Sequence, residues 1–308
     1  MKQKVLVATE KPFHPDAVKG IRDICGEAGY EMALLESYGD AAEFIAAVAD
    51  ADALIIRSDK VTPAVIAAAD RLKIVVRAGA GYDNVDLEAA SARNMVVMNT
   101  PGQNANAVAE LALGMMVYLA RNGYNGKAGT ELRGKSLGIH AFGNVGRDVA
   151  RIAKGFGMDV YAFDPFISDA AIQAEGVTPL GSVEDLYSRC QYVSLHIPAN
   201  EKTRGSINAD LLGSMPAGAV LVNTARKEVI CEESLLKVFE TRPDFAYISD
   251  IAPDRKDEIV EKFPGRFFFT PKKMGAQTAE ANINAGLAAI RQIIGFFEKD
   301  DRTFQVNR

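Results

Sequence analysis

The stretch that most constrains this chain lies at residues 137–150, where an apolar run leads into a glycine turn and a helical pattern. The turn reads Ala141-x-Gly143-x-x-Gly146, a dinucleotide-binding fingerprint with alanine in place of its first glycine. A helix that begins here directs backbone N–H groups and the positive end of its dipole towards a pyrophosphate. Gly143 lets the phosphate approach, whereas Ala141 is the weak point because its Cβ must fit a tight turn. A glycine turn without a ligand is the alternative.

An acidic residue follows the next predicted strand, Asp159–Phe163, at the offset expected for an acid that binds an adenosine ribose. This residue is Asp164, and Pro165 rather than an arginine comes directly after it. Because a carboxylate repels a 2′-phosphate, the sequence predicts NAD rather than NADP as the cofactor. The alternative is an aspartate that is solvated at a strand end.

The charge of the chain favours a small-molecule partner. Its 308 residues carry a net charge of −5 with a pI near 5.4, which argues against nucleic acid or an anionic membrane as the main partner.

The longest apolar stretch, residues 111–120, is too short to span a bilayer. The helix predicted over residues 105–121 has a larger apolar surface than packing against a single core requires. The additional apolar surface predicts a homodimer interface. Three cysteines without a CxxC spacing and the absence of a signal-peptide pattern predict a cytoplasmic protein, and no metal site is expected.

Strand and helix patterns alternate along the chain on both sides of the fingerprint. This alternation predicts an α/β fold with two doubly wound, parallel-sheet, Rossmann-like domains and a cleft between them. Residues 1–98 with 278–308 are predicted to form a substrate-binding domain, and residues 99–277 an NAD-binding domain. The predicted strands cover residues 4–9, 53–57, 74–77, 96–98, 159–163, 192–196, 220–223, 247–249 and 267–269 with a further one around Leu186, and helices are predicted at 16–28 and 279–297.

Two segments of the first domain have the composition of anion sites. Arg57, Ser58 and Lys60 follow a buried strand, and ligands bind beyond the carboxyl ends of strands in such sheets. A solvated basic loop is the alternative for this segment. The glycine pair within residues 78–81 exposes several N–H groups, which can hold a carboxylate.

Five separated motifs carry a resemblance to a known family. They read ArgAlaGlyAlaGlyTyrAspAsnValAsp (77–86), AsnThrProGlyGlnAsnAlaAsnAlaValAlaGlu (99–110), GluLeuArgGlyLysSerLeuGlyIle (131–139), SerLeuHisIlePro (194–198) and AsnThrAlaArgLysGluValIle (223–230). In this order they resemble the D-isomer-specific 2-hydroxyacid dehydrogenases over nearly the whole chain. With ArgSerAspLysValThr at 57–62, the chain is most similar to the members that oxidise D-3-phosphoglycerate. Its length leaves no room for their C-terminal regulatory domain, so feedback by serine is not expected.

The resemblance implies roles for residues at matching positions. Arg226 would clamp the substrate carboxylate and polarise its carbonyl through a bidentate, charge-assisted contact, and Asp250 would meet the nicotinamide carboxamide. The backbone of Gly79 and Ala80 would also hold the carboxylate, while Arg57 and Lys60 would hold a phosphate. The candidate substrate-binding residues are Arg57, Ser58, Lys60, Gly79, Ala80 and Asn104, and the candidate cofactor-binding residues are Gly143, Asn144, Val145, Gly146, Asp164, Thr224, Ala225, Asp250, Gly275 and Ala276.

The chain departs from the family pattern where the catalytic acid belongs. Family members place a histidine just before a GlyAlaxThr-like segment, with a glutamate upstream that holds the imidazole. Here the segment begins at Gly275, which puts Lys273 at the histidine position and Arg255 at the glutamate position. An ammonium has three equivalent donors and no tautomer, so Lys273 can donate a proton to the carbonyl oxygen without a carboxylate partner.

Other acids remain open at this point. If the match of this segment to the family pattern shifts by one residue, Lys272 rather than Lys273 takes the histidine position. His14, His140 and His196 are weaker candidates for the acid. In a further alternative, both lysines are solvated and no side chain replaces the histidine.

The resemblance implies NAD-dependent oxidation of D-3-phosphoglycerate to 3-phosphohydroxypyruvate, the first step of serine biosynthesis. Hydroxypyruvate or glyoxylate reduction, or another D-2-hydroxyacid dehydrogenase activity, is the alternative within the family. A non-catalytic NAD(H)-sensing protein is the alternative from another class. The missing histidine and glutamate motivate that last hypothesis, and Arg226 argues against it.

Overall fold

The computed structural model describes residues 2–307, which form two compact units. The first unit contains the residues up to Asn104 and those from Gln277 onward, and the second is Ala105–Ala276. The first boundary of this division lies after Asn104. Asn99 pairs with strand residue Arg77, and the Thr100 N–H donates to the Gly79 carbonyl at 2.9 Å. Gln277 likewise groups with the first unit.

Twelve strands and twelve α-helices are found in the described residues. The strands are β1 (Lys4–Thr9), β2 (Glu31–Glu36), β3 (Ala53–Ile56), β4 (Ile74–Arg77), β5 (Val96–Asn99), β6 (Ser136–His140), β7 (Asp159–Phe163), β8 (Thr178–Pro179), β9 (Tyr192–Leu195), β10 (Val220–Asn223), β11 (Ala246–Ser249) and β12 (Phe267–Phe269). The helices are α1 (Pro15–Glu27), α2 (Ala41–Val48), α3 (Pro63–Ala68), α4 (Leu87–Ala92), α5 (Ala105–Ala120), α6 (Asn144–Gly155), α7 (Asp169–Ala174), α8 (Val183–Arg189), α9 (Ala209–Ser214), α10 (Glu232–Thr241), α11 (Lys256–Lys262) and α12 (Ala279–Lys299).

The first unit is built on a parallel five-stranded sheet in the order β2-β1-β3-β4-β5. All residues of β3 are buried, as expected for a strand covered on both faces. Helix α12 packs on one face with α1, and α2, α3 and α4 cover the other. The chain reverses direction across the sheet between β1 and β3, the switch point at which such folds bind ligands.

A C-terminal segment covers the outer edge of this sheet. The Val306 N–H donates to the Val97 carbonyl at 2.9 Å, and Gln305 forms an antiparallel bridge with Met98. The Asn307 side chain accepts from the Val97 N–H at 2.8 Å and donates to the Met95 carbonyl at 2.7 Å. The polar backbone of β5 is therefore paired on both sides.

The second unit is built on a parallel seven-stranded sheet in the order β12-β11-β10-β9-β6-β7-β8. Its switch point lies between β6 and β9, where the chain returns from the far edge to the centre. Helices α5 and α6 pack on one face, and α8, α9 and α10 on the other. The predicted α/β class with two doubly wound parallel sheets is confirmed.

The strand expected around Leu186 is wrong, because this residue lies in helix α8. Ser182 caps that helix, accepting from the Asp185 N–H at 3.0 Å, and two acidic residues occupy the first turn. The apolar pair Leu186 and Tyr187 belongs to a buried helix face and not to a strand. None of the helices found in residues 2–307 has the length and apolar character to cross a membrane.

Candidate functional site

The fingerprint forms a turn between β6 and α6. Gly143 is the N-cap of α6 and makes no side-chain cap hydrogen bond, so the first N–H groups of the helix, including those of Asn144 and Val145, have no capping side chain. A Cβ added to Gly143 would meet nothing within 4 Å. This end of a twelve-residue helix therefore offers donors, the positive end of a dipole and open space to an anion.

The two other positions of the fingerprint are tightly constrained. A Cβ on Gly146 would lie 2.4 Å from the Ala141 carbonyl oxygen and 3.0 Å from Ile139 Cγ2, so only glycine fits. Ala141 itself has a φ of +79°, in the left-handed region that favours glycine. The strain anticipated at Ala141 is thus located in the backbone of the turn.

Asp164 lies at the end of β7, next to the fingerprint turn. Its carboxylate accepts from the Phe142 N–H and from the Phe166 N–H, both at 2.8 Å. These two contacts orient the carboxylate at the edge of the turn, where a ribose is expected. Phe166, which is 92% exposed, is fixed next to it through its backbone.

The AsnThrAlaArg motif forms a second turn at the same sheet edge, after β10. Asn223 shapes this turn, accepting from the Ala225 N–H at 2.9 Å and donating to the Arg226 carbonyl at 3.0 Å. Arg226 is partly buried, and its Nη1 donates to the Ala225 carbonyl at 3.0 Å. Thr224 is 8% exposed, and its hydroxyl has no hydrogen-bond partner within residues 2–307. A buried hydroxyl in that state fits a bound polar group.

Asp250 follows β11 and is 1% exposed. Its carboxylate accepts from the backbone N–H groups of Met274 and Gly275 at 2.7 and 2.8 Å, and from the Thr270 hydroxyl at 3.0 Å. Lys273 is exposed on the segment thus held, which is neither helix nor strand, and Ala276 is half-buried on it. Asp250 therefore bonds to the loop that carries the proposed acid.

Arg255 has acidic partners on α10 and α11. Its guanidinium forms an ion pair with Glu258, and its backbone N–H donates to the Glu232 carboxylate at 2.9 Å. The side chain at the family's glutamate position thus pairs with an acidic residue three positions further along.

The histidines of the second unit are half-buried and neutral near pH 7. Burial lowers the pKa of His140 to about 4, although the Asp164 charge opposes this, and burial with the nearby His140 lowers the pKa of His196 to about 3. The His196 ring lies 3.0 Å from the Ser194 hydroxyl. In the first unit, His14 caps α1, accepting from the Asp16 N–H at 3.3 Å. These contacts describe structural histidines.

In the first unit, Arg57 follows β3 and is engaged with the loop after β1. Its Nη1 donates to the carbonyls of Lys11 and Pro12 at 3.1 and 2.9 Å, and its guanidinium carbon lies 5.3 Å from the centre of the Phe13 ring. Burial lowers the pKa of Arg57, and the Asp59 charge opposes the change. The neighbouring candidates Ser58 and Lys60 are exposed.

Asp59 is a buried carboxylate that the sequence interpretation missed. It accepts from the Glu10 N–H and the Tyr38 hydroxyl at 2.6 Å each, and from the Arg57 N–H at 3.2 Å. Burial and this hydrogen bond to Asp59 raise the pKa of Tyr38. The only signal for it in the sequence is an acid placed between Ser58 and Lys60 in a basic segment.

The Arg77 side chain packs against the glycine turn that follows β4. Gly79 has a φ of +150°, and a Cβ there would lie 1.5 Å from Arg77 Nη1. The Gly79 N–H donates to the Arg77 carbonyl at 2.8 Å, so it is already used within the turn. Ala80 is exposed, and its carbonyl accepts from the Asn99 side chain at 2.6 Å. Asn104 ends the turn that follows β5.

The structure thus brings the candidates together within each unit. In the second unit, the cofactor candidates, Arg226 and Lys273 all follow β6, β7, β10, β11 or β12 at the carboxyl ends of the strands. In the first unit, the substrate candidates follow β3, β4 and β5. The uncapped helix, the open space at Gly143 and the unpartnered Thr224 hydroxyl fit NAD at the second edge.

Comparison with known proteins gives the same picture over the whole chain. The model of the D-isomer specific 2-hydroxyacid dehydrogenase NAD binding domain matches residues 82–263. The crystal structure of the NAD+-bound 3-phosphoglycerate dehydrogenase of Entamoeba histolytica is 46% identical, covers 100% of this chain and 99% of its own, and has a TM-score of 0.89.

Two curated relatives have different activities. The D-3-phosphoglycerate dehydrogenase of Methanocaldococcus jannaschii is 33% identical over 94% of this chain and 56% of its own length. The hydroxypyruvate reductase of Thermotoga maritima is 35% identical over 85% of this chain and 90% of its own. The chain spans about half the length of the curated phosphoglycerate dehydrogenases that it matches. With the fingerprint turn and the two doubly wound sheets, these matches establish that the chain belongs to the D-isomer specific 2-hydroxyacid dehydrogenase family and contains its NAD-binding domain.

Proposed function

We propose that this chain is an NAD-dependent dehydrogenase that interconverts D-3-phosphoglycerate and 3-phosphohydroxypyruvate, the first step of serine biosynthesis. The observation that carries the proposal is the 46% identity to the Entamoeba phosphoglycerate dehydrogenase over 100% of this chain. The family's NAD-binding domain supports the cofactor, and the charged segment at Arg57 supports a phosphorylated substrate.

The cofactor would be held by the edge of the second sheet. Backbone N–H groups of Asn144 and Val145 would bind the pyrophosphate, and Asp164 the adenosine ribose. The Thr224 hydroxyl would gain the partner that it lacks among the described residues. When bound, the nicotinamide supplies or accepts the hydride.

Arg226 and Lys273 would act on the reacting carbons. The Arg226 guanidinium binds the substrate carboxylate and orients the adjacent carbonyl. In the reductive direction Lys273 donates a proton from Nζ to the carbonyl oxygen, and in the oxidative direction its neutral amine accepts the hydroxyl proton. Because a lysine is charged near pH 7, the reductive direction requires no change in its ordinary protonation state.

Arg57 and Lys60 would bind the phosphate of the substrate. The contacts of Arg57 to the Lys11 and Pro12 carbonyls use only Nη1, and a guanidinium has five N–H donors in all. Lys60 is exposed and adds a second positive charge to the segment. The phosphate contacts set the preference between a phosphorylated and an unphosphorylated acid.

The test is NADH oxidation with 3-phosphohydroxypyruvate and with hydroxypyruvate. We expect the wild type to prefer the phosphorylated acid at least tenfold in kcat/KM, about 1.4 kcal/mol, and Arg57→Ala to abolish the preference. Lys273→Ala should lower kcat by about 100-fold or more. The adjacent Lys272→Ala is the matched control and should stay within about twofold; the opposite pattern would make Lys272 the acid.

Hydroxypyruvate reduction is the second candidate, because the Thermotoga relative is a hydroxypyruvate reductase that the chain covers over 90% of its length. Equal rates with both acids and no effect of Arg57→Ala would favour it. NADH binding without turnover of any 2-oxo acid would instead favour an NAD(H) sensor.

A homodimer through α5 is also proposed, since Leu111, Val117 and Leu119 on that helix are only partly buried. Light scattering would measure the mass of the particle in solution.

A further inference from the structure

Asp59 connects the ends of three neighbouring strands, β2, β1 and β3, in the first unit. Its Oδ1 accepts from the Glu10 N–H after β1 and from the Tyr38 hydroxyl after β2, both at 2.6 Å, and its Oδ2 accepts from the Arg57 N–H at 3.2 Å. Tyr38 follows Ser37, whose φ of +56° lies in the left-handed region. Such a conformation persists where the surrounding contacts determine it.

The backbone of Arg57 is bonded through both of its peptide groups. Its N–H donates to Asp59, and its carbonyl accepts from Arg77 Nε at 3.0 Å and from the Asn84 amide at 3.2 Å. The Asn84 amide also donates to the Asp59 carbonyl at 2.6 Å. The Cα of Arg57 is therefore held in one place.

The loop after β1, which Asp59 holds at the Glu10 N–H, also fixes the far end of the Arg57 side chain. Arg57 Nη1 donates to the carbonyls of Lys11 and Pro12. Within residues 2–307, Arg57 Nε and Nη2 donate to no other group. These two nitrogens form one edge of the planar guanidinium, and their parallel N–H groups match two oxygens of a phosphate.

We propose that Asp59 is a positioning residue that holds the Nε and Nη2 edge of Arg57 in the orientation that binds the substrate phosphate, and thereby sets the preference for a phosphorylated acid. The inference rests on the proposed function, since it assigns Asp59 to the placement of the proposed phosphate-binding arginine. A long, flexible side chain loses conformational freedom when it binds, so an arginine that is already held in place binds more tightly.

The test compares Asp59→Asn with a matched control at the other end of β3. The amide keeps the size of the side chain but has one acceptor oxygen, so at least one of the three donors loses its bond. Asp52→Asn is the control, because Asp52 is also buried, accepts from the Lys4 N–H at 2.8 Å and pairs with Arg71. Tyr38→Phe removes a single donor and should give a smaller effect of the same kind as Asp59→Asn.

Kinetics with 3-phosphohydroxypyruvate and with hydroxypyruvate separate the placement of Arg57 from a general loss of structure. In Asp59→Asn, KM for the phosphorylated acid should rise about fivefold or more, while KM for hydroxypyruvate and both kcat values stay within about twofold. Asp52→Asn should leave the preference between the two acids unchanged. Asp59→Asn added to Arg57→Ala should not lower the preference further, because Asp59 acts through Arg57.

A measurement without substrate reports on Arg57 itself. Nitrogen-15 relaxation gives the order parameter of the Arg57 Nε–H bond in the full chain. This order parameter should fall from about 0.85 in the wild type to below about 0.6 in Asp59→Asn, and it should not change in Asp52→Asn.

Three results would overturn the inference. They are an unchanged order parameter of Arg57 Nε in Asp59→Asn, an unchanged preference in that variant when the wild type prefers the phosphorylated acid, and an equal rise in KM for both acids. A wild type without a preference, in which Arg57→Ala has no effect, would instead refute the proposed function. Relaxation needs no substrate, so the two failures can be told apart.

Discussion

The two sheets of this chain have switch points of the same topological kind but of very different local structure. In the second unit the switch point between β6 and β9 opens onto the uncapped start of α6, with space at Gly143. In the first unit the corresponding point between β1 and β3 is bridged by Arg57, which bonds to the loop after β1, and by Asp59. Topology selects the place, and the turn residues decide what it can bind.

The helices that follow the two switch-point strands differ in the same way. Helix α1 begins with Pro15, which has no N–H, and Asp16 places a negative charge in its first turn. Helix α6 has no acidic residue in its first turn and begins after a glycine. We therefore expect the backbone to bind an anion in the second unit, whereas the first unit would need side chains such as Arg57 and Lys60.

The first prediction concerns the two glycines of the open turn and has the largest expected effect. Gly146→Val should lower the free energy of unfolding by about 3 kcal/mol, because its Cβ would meet the Ala141 carbonyl at 2.4 Å. Gly143→Ala should change stability by less than about 1 kcal/mol yet weaken NADH binding at least tenfold. Urea denaturation and NADH titration measure both. Equal losses of stability in Gly146→Val and Gly143→Ala would contradict the difference in free space between the two positions.

The second prediction tests the bridged switch point. Asp59→Asn should destabilise the first unit by about 2 kcal/mol, because one of the three donors to this buried side chain would face an amide NH2 group instead of a carboxylate oxygen. Exposed Ser58→Ala is the neighbouring control, with an effect below about 0.5 kcal/mol. Hydrogen exchange at Glu10 should rise only in Asp59→Asn, and no change there would mean that Asp59 does not hold the loop.

The third prediction separates the units by pH. His140 and His196 have pKa values of about 4 and about 3 in the folded chain, below the ordinary 6.5, so their contribution to stability is present above pH 6.5 and is lost as the pH falls. Between pH 8 and pH 6 the pair should cost the second unit roughly 1.5 kcal/mol. Urea midpoints at both pH values measure this loss. The same pH dependence in a His140→Gln, His196→Gln variant would show that other groups are responsible.

The fourth prediction is the smallest and concerns the strained residue of the open turn. Ala141→Gly should stabilise the second unit by less than about 1 kcal/mol, because relief of the φ of +79° is partly offset by the greater freedom of an unfolded glycine. Ala150→Gly in the middle of α6 is the control and should destabilise by about 1 kcal/mol. Thermal unfolding of both variants is the measurement, and a loss of stability in Ala141→Gly would contradict the strain.

Much of the fold could be predicted because its signals are local. Strands β1, β4 and β10 were predicted to the residue, since continuous apolar runs mark strands covered on both faces. Strand β2 was missed because it is a partly exposed edge strand with a glutamate at each end. Helix α8 was mistaken for a strand because its apolar pair is too short to reveal a helical period.

The candidate sites could be predicted only where the backbone conformation requires particular residues, such as glycines, at a fixed spacing in the sequence. The glycines at 143 and 146 could be interpreted from their spacing, and the structure places them as a helix cap and a packing contact. The clamp at Asp250 could not, because its partners lie 20 to 25 positions further along the chain and two of them donate through the backbone. Hydrogen bonds of that kind leave no pattern in the side chains.

The segment that pairs with β5 has a consequence for how the chain folds as it is made. An open strand edge is a template for pairing with another chain, and here residues 305–307 occupy it. These residues and α12 are synthesised only after the whole second unit, Ala105–Ala276, although they complete the first. During synthesis on the ribosome, the five-stranded sheet therefore lacks its last helix and has the β5 edge uncovered until these residues emerge, and an unpaired strand edge favours aggregation during that interval.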